Sequence, residues 1–199
     1  CDEAFKMVDA ASSLKELRAA AKKIKKSLKD ISIDKNKKPI RIGIVGEMFM
    51  VIEPFANMGI ERKLGDLGAE VERGVWLSRW MNDRFHFNPF QRNHMKVAKR
   101  IARPYLKYHA GGESIVTIGK TIKFAKRGFD GVVHIKPFSC MPELVAQMIL
   151  TKVEKDYNIP VLTLTIDEHS AEVGIDTRLE AFMDMLVKRR NNRGAVKNG

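Results

Sequence analysis

The chain has 199 residues, of which 44% are hydrophobic and 30% are charged, and its formal net charge is +12. This length and apolar fraction suit one sizeable domain with an extension, and no apolar run reaches the roughly 18 residues of a membrane span. Two cysteines are too few for a disulfide framework, so the sequence predicts a protein of the reducing cytoplasm. The first residue is Cys1 rather than Met, which is compatible with a fragment of a longer protein.

Residues 1–38 predict a helical arm followed by a polar linker. Apolar residues recur there at three-to-four spacing, which is typical of an amphipathic helix. They are Leu14, Leu17, Ala21, Ile24 and Leu28. Ser13 and Glu16 fit a capping box, which would divide the arm into two helices. Its many lysines could bind a polyanion, but a solvated helix face is commoner, and the absence of a recognisable motif argues against nucleic acid as a partner.

Residues 39–188 alternate between strand and helix patterns, as a parallel α/β domain does. Short apolar runs predict strands at 40–45, 69–75, 132–135 and 161–166. Helical periodicity predicts helices at 60–67, 93–107, 113–126, 142–157 and 176–188. The sequence predicts a loop at 48–57, an insertion with a short helix and a loop at 76–93, and a disordered tail at 189–199.

Right-handed crossovers between these strands give the order 2-1-3-4 in a doubly wound, mainly parallel four-stranded sheet of the Rossmann-like or flavodoxin-like kind. Ligands of such sheets bind at the carboxyl ends of the strands where the winding reverses, here between the first and third strands. We therefore expect a shared pocket formed by the residues that follow the first, third and fourth strands. These are Gly46, Glu47, Ser139, Cys140, Asp167 and Glu168.

Simpler roles remain open for each of these residues. Glu47 could cap the following segment, Asp167 could form a turn, and an isolated cysteine is more often a small buried hydrophobe.

Pro142 suits the first position of a helix, which places Cys140 just before a helix N-terminus, where the helix dipole favours a thiolate. Gly111 and Gly112 precede another helix and could bind an anion, although such a pair is commonly only a turn.

Several runs of the chain resemble one known family. PFSCMPE at 137–143, IPVLTLTIDE at 159–168 and TRLEAFMDML at 177–186 are similar to the 2-hydroxyacyl-CoA dehydratase group. Within that group, the chain is most similar to CoA-substrate-specific enzyme activase-related and dehydratase-component-like proteins. The resemblance covers about residues 38–187.

The resemblance implies an iron–sulfur enzyme system in which an ATP-dependent activator passes one electron to a dehydratase that acts on an acyl-CoA. Cysteines of the dehydratase hold a [4Fe–4S] cluster, and Cys140 matches the position of one of them. Such a cluster needs three or four protein ligands, whereas this chain offers only Cys140 and Cys1. We therefore expect no bound cluster and no turnover by this chain alone. Met141 and Glu143 also depart from the acidic residue expected after the cysteine.

Two hypotheses follow for the function. The first is a domain of a 2-hydroxyacyl-CoA dehydratase-type system that contributes to a [4Fe–4S] cluster and a CoA-thioester site in the full assembly. Its partners would be an ATP-dependent activator or a second dehydratase component. The alternative is a non-catalytic α/β binding or scaffold module that docks to a partner or polyanion through the basic helix at 14–29.

Overall fold

The computed structural model describes residues 2–32, 34, 38–85, 93–108 and 110–197. The chain divides into two compact units, residues 1–38 and 39–199. Cys1 and most of the loop predicted before residue 93 lie outside the described residues. Within the described ranges, no helix has both the length and the apolarity needed to cross a bilayer.

The first unit is a pair of helices, α1 (Asp2–Asp9) and α2 (Leu14–Lys29). Ser13 is the N-cap of α2, and its hydroxyl oxygen accepts a hydrogen bond from the backbone N–H of Glu16 at 3.2 Å. The carboxylate of Glu16 in turn accepts from the N–H of Ser12 at 2.9 Å, one residue earlier than in the standard capping box. The predicted division of the arm into two helices is therefore confirmed.

The second unit is built on four parallel strands. They are β1 (Ile40–Gly46), β2 (Ala69–Arg73), β3 (Gly131–Pro137) and β4 (Val161–Ile166), in the order β2-β1-β3-β4. The central strands β1 and β3 are almost entirely buried, and most of their residues are apolar, although β1 contains Arg41 and β3 contains His134 and Lys136. The predicted fold class and strand order are both confirmed.

Seven helices connect and flank these strands in the described residues. They are α3 (Met48–Ile52), α4 (Ile60–Asp66), α5 (Leu77–Phe85), α6 (His94–Ala102), α7 (Ser114–Lys126), α8 (Met141–Tyr157) and α9 (Glu172–Lys197). Helix α3 occupies part of the segment predicted as a loop at 48–57, so that prediction is wrong. Helix α8 begins at Met141, which makes Pro142 its second residue instead of its first.

The helices cover both faces of the sheet. On one face, the β1 residues Ile42 and Ile44 belong to a core that includes Leu64 of α4 and Leu179 of α9. On the other face, residues of α7 and α8 pack together, as Ile118 and Leu150 do. The crossover from β1 therefore runs over one face and the crossover from β3 over the other. The switch point lies between these two strands, as the sequence predicts.

Helix α9 is longer than its sequence pattern predicts, since it continues past Lys188 to Lys197. Two arginines just after the predicted end bind other parts of the domain. The guanidinium of Arg189 donates to the carbonyl of Asn158 at 2.9 Å. That of Arg190 donates to the carbonyl of Pro39 at 2.9 Å. These polar contacts hold the part of α9 after Lys188, where the sequence no longer shows apolar periodicity, against the rest of the domain.

Candidate functional site

The carboxyl ends of β1 and β3 approach each other closely at Gly46. This residue has φ 137°, and a Cβ atom built on it would lie 1.8 Å from the carbonyl oxygen of Ile135. The next residue, Glu47, donates its N–H to the same carbonyl at 3.0 Å. Only glycine fits this backbone conformation and this spacing. Gly46 therefore allows the backbones of β1 and β3 to lie this close together at the switch point.

The side chain of Glu47 is turned toward the helix that follows it. Its carboxylate accepts a hydrogen bond from the N–H of Met50 at 2.9 Å and thereby caps α3. The contact corresponds to the capping role considered for Glu47 and explains why the apolar segment after it is helical. The carboxylate is half-buried and committed to its own loop.

Cys140 is the N-cap residue of α8, as its position after β3 predicts. It is a free, half-buried cysteine whose side chain makes no capping hydrogen bond, while the neighbouring Ser139 is exposed. The preceding residue Phe138 donates its N–H to the carbonyl of Ile166 at 3.1 Å, which joins the end of β3 to the end of β4. The three predicted loops thus start from neighbouring strand ends.

The Gly111–Gly112 turn lies against the start of α8. Both residues have positive φ angles, 92° and 48°, and a Cβ atom on Gly112 would lie 3.0 Å from Cβ of Pro142. The turn leads directly into α7, and the hydroxyl of Ser114 donates to the carbonyl of Gly111 at 2.9 Å. The N-termini of α7 and α8 are therefore neighbours, and each presents the positive end of a helix dipole. Anion binding by the two glycines stays a prediction.

The acidic residues after β4 are largely used within their own turn. The carboxylate of Asp167 accepts from the N–H of His169 at 3.1 Å and from the hydroxyl of Ser170 at 2.8 Å. The hydrogen bond from Ser170 holds the pKa of Asp167 below its ordinary value. The Glu168 side chain is 82% exposed, so it extends into solvent.

A buried polar network beneath the Cys140 turn was not predicted from the sequence. His134 of β3 and Glu143 of α8 are both 0% exposed, and Nε2 of His134 lies 2.8 Å from a carboxylate oxygen of Glu143. The hydroxyl of Thr117 on α7 donates to the other carboxylate oxygen at 3.2 Å. Nδ1 of His134 lies 3.2 Å from the hydroxyl of Thr163 on β4. The carboxylate of Glu143 and the imidazole of His134 thus connect β3, β4, α7 and α8 by hydrogen bonds.

A single tautomer of His134 satisfies this network. With its proton on Nε2, the imidazole donates to Glu143 and accepts at Nδ1 from the hydroxyl of Thr163. The sequence does contain one indication of this buried network. Glu143 shares a helical face with Ala146 and Leu150, which are buried, so a carboxylate on that face requires a polar partner inside the domain.

The ligand set that an iron–sulfur cluster needs is not complete among the described residues. Among those residues, no group of three or more His, Cys, Asp or Glu side chains could hold a metal ion. A [4Fe–4S] cluster needs three or four protein ligands. The described residues therefore do not fit a complete cluster.

A protein-family model described as 2-hydroxyglutaryl-CoA dehydratase, D-component, matches residues 2–186. The match spans nearly the whole chain and includes every candidate residue considered above. No curated protein matches the chain at a significant level.

Proposed function

The chain belongs to the 2-hydroxyglutaryl-CoA dehydratase D-component family, and on this premise we propose that it supplies Cys140 as one ligand of a [4Fe–4S] cluster in a larger dehydratase assembly. The family is one component of a multi-part system, so partner components are implied. The proposed assembly acts on a 2-hydroxyacyl-CoA in the cytoplasm and receives electrons from an ATP-dependent activator.

The observation that carries this proposal is the position of Cys140. It is a free thiol at the N-cap of a 17-residue helix, on the loop that follows one of the two switch-point strands. A negatively charged thiolate ligand is favoured by the helix dipole at such a position. The adjacent N-terminus of α7 adds a second dipole of the same sign.

The remaining cluster ligands would come from elsewhere, because the described residues contain no group of three or more His, Cys, Asp or Glu side chains that could hold a metal. They would belong to residues outside the described ranges or to a partner component. The chain by itself is therefore assigned no step of the reaction. Its part is to hold one thiol and one edge of the substrate pocket in place.

The proposed rim of that pocket consists of residues at the carboxyl edge of the sheet. Glu47 and Asp167 are engaged in local hydrogen bonds, so their main role is to shape the loops. Ser139 and Glu168 are exposed and remain available to an acyl-CoA or to a partner component. Gly46 keeps the ends of the two central strands close together at this edge.

Anaerobic reconstitution of the complete assembly with iron and sulfide tests the ligand assignment. We expect Cys140→Ser to lower the iron and sulfide content and the visible absorbance of the cluster. Ser139→Ala, a change at the neighbouring exposed position, should leave all three quantities unaltered. Equal iron content in Cys140→Ser and in the unmodified protein would remove Cys140 from the ligand set.

A second candidate function is docking through α2, because its lysines form one continuous basic surface. Lys22, Lys25, Lys26 and Lys29 line that surface, whereas Leu14 and Leu28 are exposed elsewhere on the helix. An acidic face of the activator or of the second dehydratase component would complement it.

Charge reversal in the full chain tests this docking. Replacing Lys22, Lys25 and Lys29 with Glu should abolish co-purification with the partner component at low salt. The same triple change to Gln should weaken it less. Unchanged capture by the Glu variant would exclude α2 as the docking surface.

A further inference from the structure

A small cavity lies beyond the carboxyl end of β2, between α5, α6 and α7, apart from the Cys140 turn. It has a volume of about 30 Å³, and its walls include Trp76, Trp80, His94 and Lys120. A space of this size holds one or two water molecules or the end group of a larger ligand. The Gly74 backbone at its base lies close to the end of β1, since a Cβ there would approach the carbonyl of Ile44 to 3.0 Å.

Lys120 is the unusual group in this cavity. The residue is 8% exposed, and its ammonium makes no hydrogen bond or ion pair in the described part of the chain. An isolated buried charge is costly, so native proteins pair such groups or supply a ligand. Burial, together with the nearby charges of Lys123 and Arg79, lowers the pKa of Lys120 to about 8, although the carboxylates of Glu72 and Asp83 oppose this shift.

The carboxylates near this ammonium are committed to other partners. Asp83 accepts hydrogen bonds from the N–H groups of His94 and Met95 at 3.1 and 3.0 Å, so it caps α6. Glu72 is paired with Arg127 at 2.7 Å. Glu113 also lines the cavity and takes part in a polar interaction of its own. Within the described ranges, the ammonium of Lys120 thus forms no ion pair with a carboxylate.

We propose that this cavity binds the oxyanion group of a ligand, a carboxylate or a phosphate, through the ammonium of Lys120. The indole rings of Trp76 and Trp80 form the apolar walls beside it. Arg79, which is exposed at the same cavity, adds positive charge near the entrance. The site is separate from the proposed cluster ligand and does not depend on it.

The two tryptophans provide a direct measurement, because they are the only two in the chain and both line the cavity. The intact chain is titrated at pH 7 with sodium phosphate and, separately, with sodium acetate, while sodium chloride keeps the ionic strength constant. We expect a saturable change in tryptophan emission with at least one of the two anions. The anion that produces it identifies whether the ligand carries phosphate or carboxylate.

Variants on the same helix separate a site from a general charge effect. Lys120→Met should weaken the anion response at least tenfold, whereas Lys126→Met removes an exposed charge of α7 and should leave it unaltered. Lys120→Arg retains the positive charge and should retain binding, which covers the case in which the Met variant folds poorly. A response that is linear with both anions, or equal in Lys120→Met and the unmodified chain, overturns the proposal.

Discussion

The carboxylate of Glu143 and the imidazole of His134 form a 2.8 Å contact between two buried side chains, which are 1% and 0% exposed. Glu143 lies in the first turn of α8, three residues after Cys140, and His134 lies in the middle of β3. The pair therefore ties the N-terminus of α8 to the central sheet. Through this tie, the position of the Cys140 thiol depends on a polar contact in the core.

Removal of Glu143 should destabilise the domain strongly. Glu143→Ala leaves the Nε2–H of His134 and the hydroxyl of Thr117 without their shared acceptor, and each unsatisfied buried donor costs about 1–3 kcal/mol in the free energy of unfolding. Glu143→Gln keeps an acceptor oxygen and should cost less. Urea unfolding followed by circular dichroism measures both. Glu180→Ala, at an exposed position of α9, is the matched control and should change the free energy by less than about 0.5 kcal/mol.

Gly46→Ala should be among the most damaging single substitutions in the domain. The new methyl group would overlap the carbonyl oxygen of Ile135 and would also impose a side chain on a residue with φ 137°. Backbone strain and the forced separation of β1 and β3 together predict a loss of roughly 3 kcal/mol or more. Gly65→Ala, where no atom lies within 4 Å of the new Cβ, is the control. Equal thermal midpoints for the two variants would contradict the close approach of the strands.

The architecture could be predicted from the sequence because local patterns and general rules determine it. Short apolar runs marked the four strands, and the right-handed crossover rule then ordered them with β1 and β3 at the centre. The position of Cys140 before α8 followed from the same pattern. These conclusions depend only on periodicity and topology, which a single sequence contains.

Side-chain partners could not be predicted in the same way, because they join residues that are distant in the chain. The contact between His134 and Glu143 depends on how α8 packs on β3. The helix α3 was missed because a five-residue apolar segment carries too little periodicity, and only the cap from Glu47 marks its start. The length of α9 was underestimated because Arg189 and Arg190 support it through polar contacts that leave no apolar pattern.

Lys120→Met should stabilise the domain near neutral pH, because it keeps an aliphatic side chain and removes a largely buried ammonium that forms no ion pair with a described residue. We expect a gain of roughly 1–2 kcal/mol in the free energy of unfolding at pH 7. The gain should shrink at higher pH. The pKa of Lys120 is about 8 in the fold, below the 10.5 of an unperturbed lysine. Between these two values the unfolded chain binds more protons than the folded one, so the unmodified protein gains stability as the pH rises.

Chemical unfolding of Lys120→Met and the unmodified chain at pH 7 and at pH 9.5 measures this effect. The difference between the two proteins is the relevant quantity, because all other titrating groups are shared. Lys126→Met serves as the control and should show no comparable dependence on pH. A Met variant that is less stable at pH 7 would indicate that Lys120 makes a stabilising interaction in the fold.

Arg190→Ala should show that α9 is held to the sheet beyond the end of its apolar face. The guanidinium of Arg190 binds the carboxylate of Asp130, with Nε 3.2 Å from one oxygen, and donates to the carbonyl of Pro39. Asp130 also accepts from the N–H of Arg41 at 2.8 Å, so these contacts connect α9 to the starts of β1 and β3.

These groups are partly exposed, so the expected loss is about 1–2 kcal/mol in the free energy of unfolding. Lys188→Ala changes an exposed basic residue two positions earlier on α9 and should have little effect. Hydrogen exchange adds a second measurement, because loss of the anchor should speed exchange of the last turns of α9 while the sheet remains protected. If Arg190→Ala and Lys188→Ala have the same stability and the same exchange pattern, then the end of α9 contributes nothing to the domain, and a disordered tail that begins at residue 189 becomes the better description.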